Sequence, residues 1–513
     1  MPVPTSFHAR LFIYPAVLFI TACFALPAFA QDINAQQAAH LKKVFQTILE
    51  NRQAEIAQKT DRPRKLTLEG DVIVEPVETY YAITMPRMGL AYEDGTRVDI
   101  GIVALNASPH DQPKQYKMTM SLPTPILGFD AQDQEIMRLS IGTQKTAGIW
   151  HEDIETFIKL DAEYNDIAIA AATNNAQMNL QKLLIRYDLN ESADKRWSGP
   201  IRFEADNFSI KAPENAASLS LDKLLLSITL DELLDEALLN SPTEEASAET
   251  EYKMADGIDA TFALTGLELS KNINNEGTEN ITLGSGGIRF NFDNALSGSV
   301  DANFNMNFKD LSSSNIPADL KALIPQNGAL NLTHYNIPID SINQLMANKT
   351  DENAKTFGLS LMLKVPALMA QAGSYIETKD SFISNQDYNI AFNSILRADI
   401  AAVNSATAKA TMRFTGFDKV LSMAQVAGRN LYTSTYAAPM RSLARLLERL
   451  KPLARIETTE DKGYVHIFDF VMDETGRVLI NGQAALPLLQ DQKPEPAKPP
   501  VLENPEEPVG QPL

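Results

Sequence analysis

The feature that most limits how this chain can fold is a two-residue alternation of apolar and polar side chains, held over long runs. Val300, Ala302, Phe304, Met306 and Phe308 alternate with Asp301, Asn303, Asn305, Asn307 and Lys309. Ala406, Ala408, Ala410, Met412 and Phe414 alternate with Thr407, Lys409, Thr411 and Arg413. Ile201, Phe203 and Ala205 alternate with Arg202, Glu204 and Asp206; Tyr116, Met118, Met120 and Leu122 with Lys117, Thr119 and Ser121. Val98, Ile100, Ile102 and Ala104 share a parity, as do Leu359, Leu361, Leu363 and Val365, which are expected to form a further strand. Extended chain sends successive side chains to opposite faces, so each run has one face buried and one face wet. Such strands belong to antiparallel sheets, since parallel sheets are covered on both faces. Glu93-Asp94-Gly95, Asn275-Glu276-Gly277, Glu474-Thr475-Gly476 and Asn481-Gly482 supply turns between them. The expected fold is mainly β (α+β), with long antiparallel strands in one or two curved sheets and a few packed helices.

Helical periodicity marks the helices. Leu41, Val44, Phe45 and Ile48 fall on one face of residues 33–57, with Asp32 as the expected N-cap. Residues 317–325, 339–347, 416–427 and 438–451 are the other helical segments. In the last, Met440, Leu443, Leu446, Leu447 and Leu450 make an apolar stripe. The acidic stretch 241–252 lacks large apolar side chains and reads as a linker. It separates a first β-rich domain (61–240), preceded by an N-terminal helix (31–60), from a second with helices (253–490). Residues 491–513 are rich in proline and read as a disordered tail.

The N-terminus carries an address. Arg10 precedes an apolar run from Leu11 to Leu26 that ends in Ala28-Phe29-Ala30, the parts of a secretory signal peptide. Cleavage after Ala30 would release a periplasmic protein. Ile20-Thr21-Ala22-Cys23 offers a competing lipoprotein site at Cys23, the chain's one cysteine. No later stretch approaches the ~20 apolar residues of a membrane span. The processed chain is therefore expected to hold neither a transmembrane span nor a disulfide.

A formal charge of −20 argues against nucleic acid, which needs a concentrated basic surface. Metal-ligand, P-loop and G-x-S-x-G spacings are absent, so no catalytic, cofactor-binding or metal residue is assigned and no cofactor is called for. His151-Glu152-Asp153 is the most reactive cluster by composition; surface placement is the simpler account. Asn272 to Gly277 begins like a calcium loop, but its twelfth position is Leu283, so a hairpin turn is favoured. Two features point to partners. Arg441, Arg445 and Arg449 form a basic stripe that could face anionic headgroups or a partner, or pair with the protein's own acidic surface. The long one-sided strands could hold acyl chains in a groove, or bury the same residues in an ordinary core.

From Gly70-Asp71-Val72-Ile73-Val74 through Thr84-Met85-Pro86 and Ile102-Val103-Ala104-Leu105 to Leu122-Pro123-Thr124, strands with short x-Pro breaks follow an export signal and a helix. This layout resembles the uncharacterised alphaproteobacterial periplasmic proteins grouped as domain-of-unknown-function family 2125. The closing Gly476-Arg477-Val478-Leu479-Ile480-Asn481-Gly482 is similar to the end of the YdgA-like periplasmic proteins. The resemblance covers most of residues 60–490 as a layout. It implies a β-rich cell-envelope protein that is not an enzyme, and carries no site residues across. The expectation is an exported protein of binding or structural role, with a lipid or an envelope protein as partner. A lipid-handling protein with an apolar β-groove and a hydrolase whose site assembles from scattered residues are the alternatives.

Overall fold

The computed structural model describes residues 33–58, 64–172, 174–213, 216–234, 255–273, 277–347, 354–429, 434–458 and 463–485. The expected signal peptide, acidic linker and proline-rich tail lie outside these residues. Helix α1 (Ala35–Gln58) comes first. Eight short strands follow: β1 (Arg64–Glu69), β2 (Ile73–Val77), β3 (Tyr80–Thr84), β4 (Arg87–Tyr92), β5 (Arg97–Gly101), β6 (Ala104–Pro109), β7 (Gln115–Ser121) and β8 (Ile126–Phe129). Then come β9 (Glu135–His151), β10 (Thr156–Ala171), β11 (Gln177–Asp188), β12 (Asn190–Glu191), β13 (Arg196–Lys211), β14 (Ala217–Leu234), β15 (Gly257–Ile273), β16 (Gly277–Asp293), β17 (Val300–Lys309) and β18 (Ser312–Ser313). The last third interleaves helices α2 (Ala318–Lys321), α3 (Ile339–Ala347), α4 (Ala354–Gln371), α5 (Phe417–Arg429) and α6 (Ser434–Leu450) with β19 (Asn327–Ile337), β20 (Tyr375–Ser384), β21 (Asn389–Ala398), β22 (Ala406–Thr415), β23 (Arg455–Thr458), β24 (Tyr464–Met472), β25 (Val478–Ile480) and β26 (Gln483–Ala484).

These strands form one antiparallel sheet that is not closed into a barrel. Its pivot is β9. The first part of β9 pairs with β8, at the end of the ladder β1–β4–β5–β8. The last part pairs with β7, at the end of the ladder β2–β3–β6–β7. From β9 onward the long strands pair in chain order through β10, β11, β13 to β17, β19 to β22 and β24, a continuous meander. Pairing of β14 with β15 carries the sheet across residues 235–254.

Helices cover the sheet at its two ends. Leu41, Phe45, Ile48 and Leu49 recur at helical spacing along α1 and are fully buried. They pack on Tyr81, Ile83, Met118, Trp150, Phe157, Leu160, Tyr164 and Ile185. Phe45 stacks on Trp150 with centroids 5.6 Å apart. Asn34 Oδ1 accepts the Gln37 amide at 2.9 Å, an N-cap bond two residues beyond Asp32, which lies outside the described residues. At the other end α5 and α6 bury Phe417, Val420, Leu421, Ala444, Leu447 and Leu450 against Tyr388, Phe414, Phe468 and Ile480. His466 lies beneath α5, stacked on Phe417 at 4.5 Å. Neither of its ring nitrogens finds a partner among the described residues.

One expected strand is a helix. Leu359, Leu361, Leu363 and Val365 lie in α4. Their shared parity is incidental, because Met362 breaks the polar side of the alternation. Leu, Met, Ala and Lys are strong helix formers, and the stretch is built mainly of them.

A crease crosses the long strands. Between flanking ladder pairs, Gly142, Asp166, Gln181, Asn207, Asp222, Gly266, Gly284 and Asp310 fall in one line. Asp166, Asn207, Gly266 and Asp310, in alternate members of that line, have left-handed backbones, with φ of 54°, 53°, 65° and 57°. On one side of the crease the apolar residues are Tyr164, Leu183, Leu224 and Leu264; on the other they are Ile167, Leu180, Leu221 and Leu267. Each step is odd, so strict alternation would send the second set to the opposite face. Yet Ile141 and Ile167 pack on the same cluster as Tyr164 and Leu183. The left-handed residues reverse the pleat, as a bulge does, and keep the apolar side chains on one face.

Gly266 is required at its place: besides its positive φ, a Cβ there would collide with the Asp222 carboxylate. Gly266→Ala is expected to cost roughly 1–3 kcal/mol, read as a lower urea midpoint at unchanged slope. A second expectation concerns acid. Burial holds the His466 imidazole below its ordinary value of 6.5. Between its folded value and 6.5 the unfolded chain binds the extra proton, so stability falls as pH falls through that window. His466→Phe should therefore gain stability relative to the parent as pH drops below 6.5, measured by urea midpoints across a pH series.

Candidate apolar binding face

Directly opposed residues of an antiparallel ladder point to the same face. Following the register across the sheet therefore sorts every side chain. Ile185, Phe203, Leu226, Phe262, Ile288, Met306 and Leu330 form one unbroken row over seven strands. Ile201, Ile228, Ala260, Phe290, Phe304 and Leu332 form the next. Rows of the other parity are polar: Arg202, Ser227, Thr261, Arg289, Asn305 and Asn331 make one, and Asp206, Lys223, Thr265, Ser285 and Lys309 another.

The polar face is knitted together. Arg289 donates to both carboxylate oxygens of Asp259 at 2.9 and 2.6 Å. Glu204, itself buried, receives Lys223 and Arg202 at 2.6 Å each. The Lys223 bond, then that of Arg202, holds its carboxyl below the ordinary range against the cost of burial. Thr333 Oγ1 donates to Asn303 at 2.6 Å, and Asn305 bonds Asn331 at 3.2 Å.

The apolar face is not covered along its middle. Tyr164, in the α1 core, is joined by a single register row to Phe414, in the α5–α6 core. Both helical caps therefore sit on the same face. Between them, β15 to β17, β19 and β20 contribute no residue to a buried apolar cluster among the described residues. Phe262, Ile288, Phe290, Met306, Ile383 and Leu396 are 39–43% exposed. At ~4.8 Å per strand, β14 to β20 give this face a width of about 25 Å. A buried Phe, Leu or Ile side chain contributes about 1.5–3 kcal/mol relative to an exposed one. Leaving so many open forgoes a large stabilisation.

The residues singled out in the sequence fall elsewhere. Arg441 Nη1 donates to the Gly428 carbonyl at 2.9 Å and ties α6 to the end of α5. Arg445 is exposed and bonds its own helix at Arg441 O; Arg449 is half-buried. Lys451 pairs with Asp418 at 2.7 Å and Glu448 accepts Gln425 at 2.6 Å, so this helical hairpin uses much of its own charge. His151 is buried edge-on to Trp197 at 5.7 Å, and Asp153 pairs with Lys114 at 2.5 Å. Burial, with the neighbouring Asp153 charge, pushes the Glu152 carboxyl up to about 8 despite Lys114. A hollow of about 430 Å³ nearby is lined by Gln112, Lys159, Asp188, Glu191 and Trp197 among others. None of its lining residues is a serine, threonine or cysteine, and His151, Glu152 and Asp153 do not line it. No helix among the described residues is long and apolar enough to cross a membrane. No cluster among them has the ligands for a metal ion.

The central residues of the open face, Phe262, Ile288 and Phe290, were not singled out by sequence reasoning. Their alternation is visible in Ile258, Ala260, Phe262 and Leu264 and in Gly286, Ile288, Phe290 and Phe292, but the crease at Gly266 and Gly284 cuts each run short. Compared with protein-family models and with curated protein sequences, the chain matches none.

The cross-strand rows make a direct structural expectation. Ile288→Thr, at an exposed position whose neighbours are already solvated, should leave the unfolding midpoint nearly unchanged, within about 0.5 kcal/mol. Phe45→Ala, in the α1 core, should cost about 3–5 kcal/mol. Urea denaturation of the two variants checks the contrast.

Proposed function

We propose that this is an exported envelope protein that binds the acyl chains of a lipid on the open apolar face of its sheet. The observation that carries this reading is the row from Ile185 to Leu330, which contains no hydrogen-bonding side chain and has no helical cover over its central strands. The strands beneath are paired on both sides, so they offer no free edge for an added strand. An extended peptide lying on this face would leave its amides without partners. An acyl chain has none to satisfy. Export gives such a face its use, because a lipid crossing water between membranes needs its chains shielded. This is a binding role, and it needs no catalytic residue.

The test is mass spectrometry of lipids extracted from the full chain after purification, with titration of a monomeric fluorescent fatty acid. The expected result is co-purifying acyl lipid and saturable fatty-acid binding. Ile288→Asp should weaken that binding at least tenfold, the effect of about 1.4 kcal/mol, with an unchanged far-UV circular dichroism spectrum. A lipid-free preparation without saturable binding would overturn the reading. So would a stoichiometric helical polypeptide found seated on the protein, since a helix satisfies its own backbone and could lie here as α1 does.

A further inference from the structure

The most exposed apolar side chains are not on the sheet face. Met362, Leu363 and Leu359 of α4 are 75%, 70% and 62% exposed. Val403 and Ile400, in the loop joining β21 to β22, are 75% and 67% exposed. The walls of the open face reach only 43%. These five residues are therefore protruding tips, unlike the half-sheltered residues of the binding face.

Backbone hydrogen bonds bring the C-terminal end of α4, the helix that carries three of the tips, and the loop that carries the other two to the same end of the sheet. Ser374, just after α4, donates to Met369 O at 2.9 Å and leads directly into β20. Ala398, the last residue of β21, donates to Ser374 O at 3.1 Å. The loop that carries Ile400 and Val403 starts there, and Val403 N is held by Glu474 O at 2.9 Å. On α4 the tips fall at i, i+3 and i+4, one face of the helix. A different part of α4 meets α3, where Lys364, Ala367 and Leu368 face Ser341, Gln344 and Leu345.

We infer that this end of the sheet inserts its apolar tips into the surface of a phospholipid bilayer, where lipid enters the binding face. The inference rests on the acyl-binding reading above. Its own support is continuity: Leu396, 39% exposed on the apolar face, stands four residues before Ile400 on the same strand and loop. A chain leaving the bilayer at Ile400 and Val403 would meet Leu396 and then Ile376 in the same register row. Large apolar residues grouped on exposed elements, three on one face of α4 and two in one loop, suit the boundary between headgroups and acyl chains. The loop carries Asp399 and is anchored at the acidic Glu474, while α4 carries Lys355 and Lys364, so the two elements together have no excess of basic charge. Apolar insertion, and not attraction to anionic lipid, therefore drives the contact. Binding should persist on zwitterionic membranes and change little with salt.

The test is flotation of the full chain with phosphatidylcholine vesicles at low and high salt. The parent should float in both. The double variant Met362→Glu, Val403→Glu alters two side chains that are three-quarters exposed, so folding should be retained. Its vesicle-bound fraction should fall at least tenfold, while its affinity for monomeric fatty acid stays within twofold of the parent. Ile288→Asp should show the opposite pattern, floating normally but losing the fatty acid. Failure of the parent to float, or flotation unchanged in the double variant, would overturn the inference without touching the acyl-binding reading. A parent that is dimeric and vesicle-free, with a monomeric double variant, would assign the tips to a second copy and equally overturn it.

Discussion

Cross-strand register is the constraint on which the rest of this structure depends. Each long strand is hydrogen-bonded on both sides, so the position of one residue fixes which residue of every other strand shares its row. Because rows alternate between faces, the chemistry of a whole face follows from parity alone. Tyr164 and Phe414, two hundred and fifty residues apart in sequence numbering, lie on the same face for this reason. The polar face gains its ion pairs in the same way, with Arg289 brought over Asp259 by the pairing of β15 with β16.

Stability is unevenly placed along this framework. The α1 end and the α5–α6 end hold the aromatic cores, around Phe45 and Trp150 and around Phe417 and Phe468. The span between them is held by backbone ladders and by polar pairs on one side only. The ends fix the shape, and the middle keeps apolar surface in contact with solvent. This division also explains why α1 and α5–α6 matter beyond their own packing. They close the two lateral limits of the open face.

Much of the fold was legible because period-two alternation is a strong signal wherever it runs uninterrupted. The runs at Val300–Phe308 and Ala406–Phe414 became β17 and β22, and the helices near residues 33–57, 339–347 and 416–427 formed close to their expected bounds. The Leu359–Val365 run misled because leucines two apart also fit a helix when the intervening residues are helix formers. The open face was harder to see. An apolar alternation states that one face seeks cover, and it cannot state whether cover arrives. That depends on where helices hundreds of residues away come to rest. Three of the long strands, β14 to β16, were hidden for a different reason: Asp222, Gly266 and Gly284 interrupt their alternation, and each fragment alone looks like an ordinary short strand.

That interruption has a consequence for assembly. In a wide meander of similar strands, a slide by two residues preserves the inside-outside pattern and is the mispairing that hydrophobicity polices least. Here a slide of β15 would also carry Gly266 away from Asp222 and put a bulky side chain where a left-handed glycine had been, and a slide of β16 would carry Gly284 away from Asp310 and crowd a side chain against that carboxylate. The aligned residues thus act as an index mark, shared by seven strands and the link after β17, that a growing sheet can match in only one way. A chain whose central apolar rows stay open to solvent cannot rely on core packing to reject wrong pairings. The mark carried by its backbone supplies that proofreading.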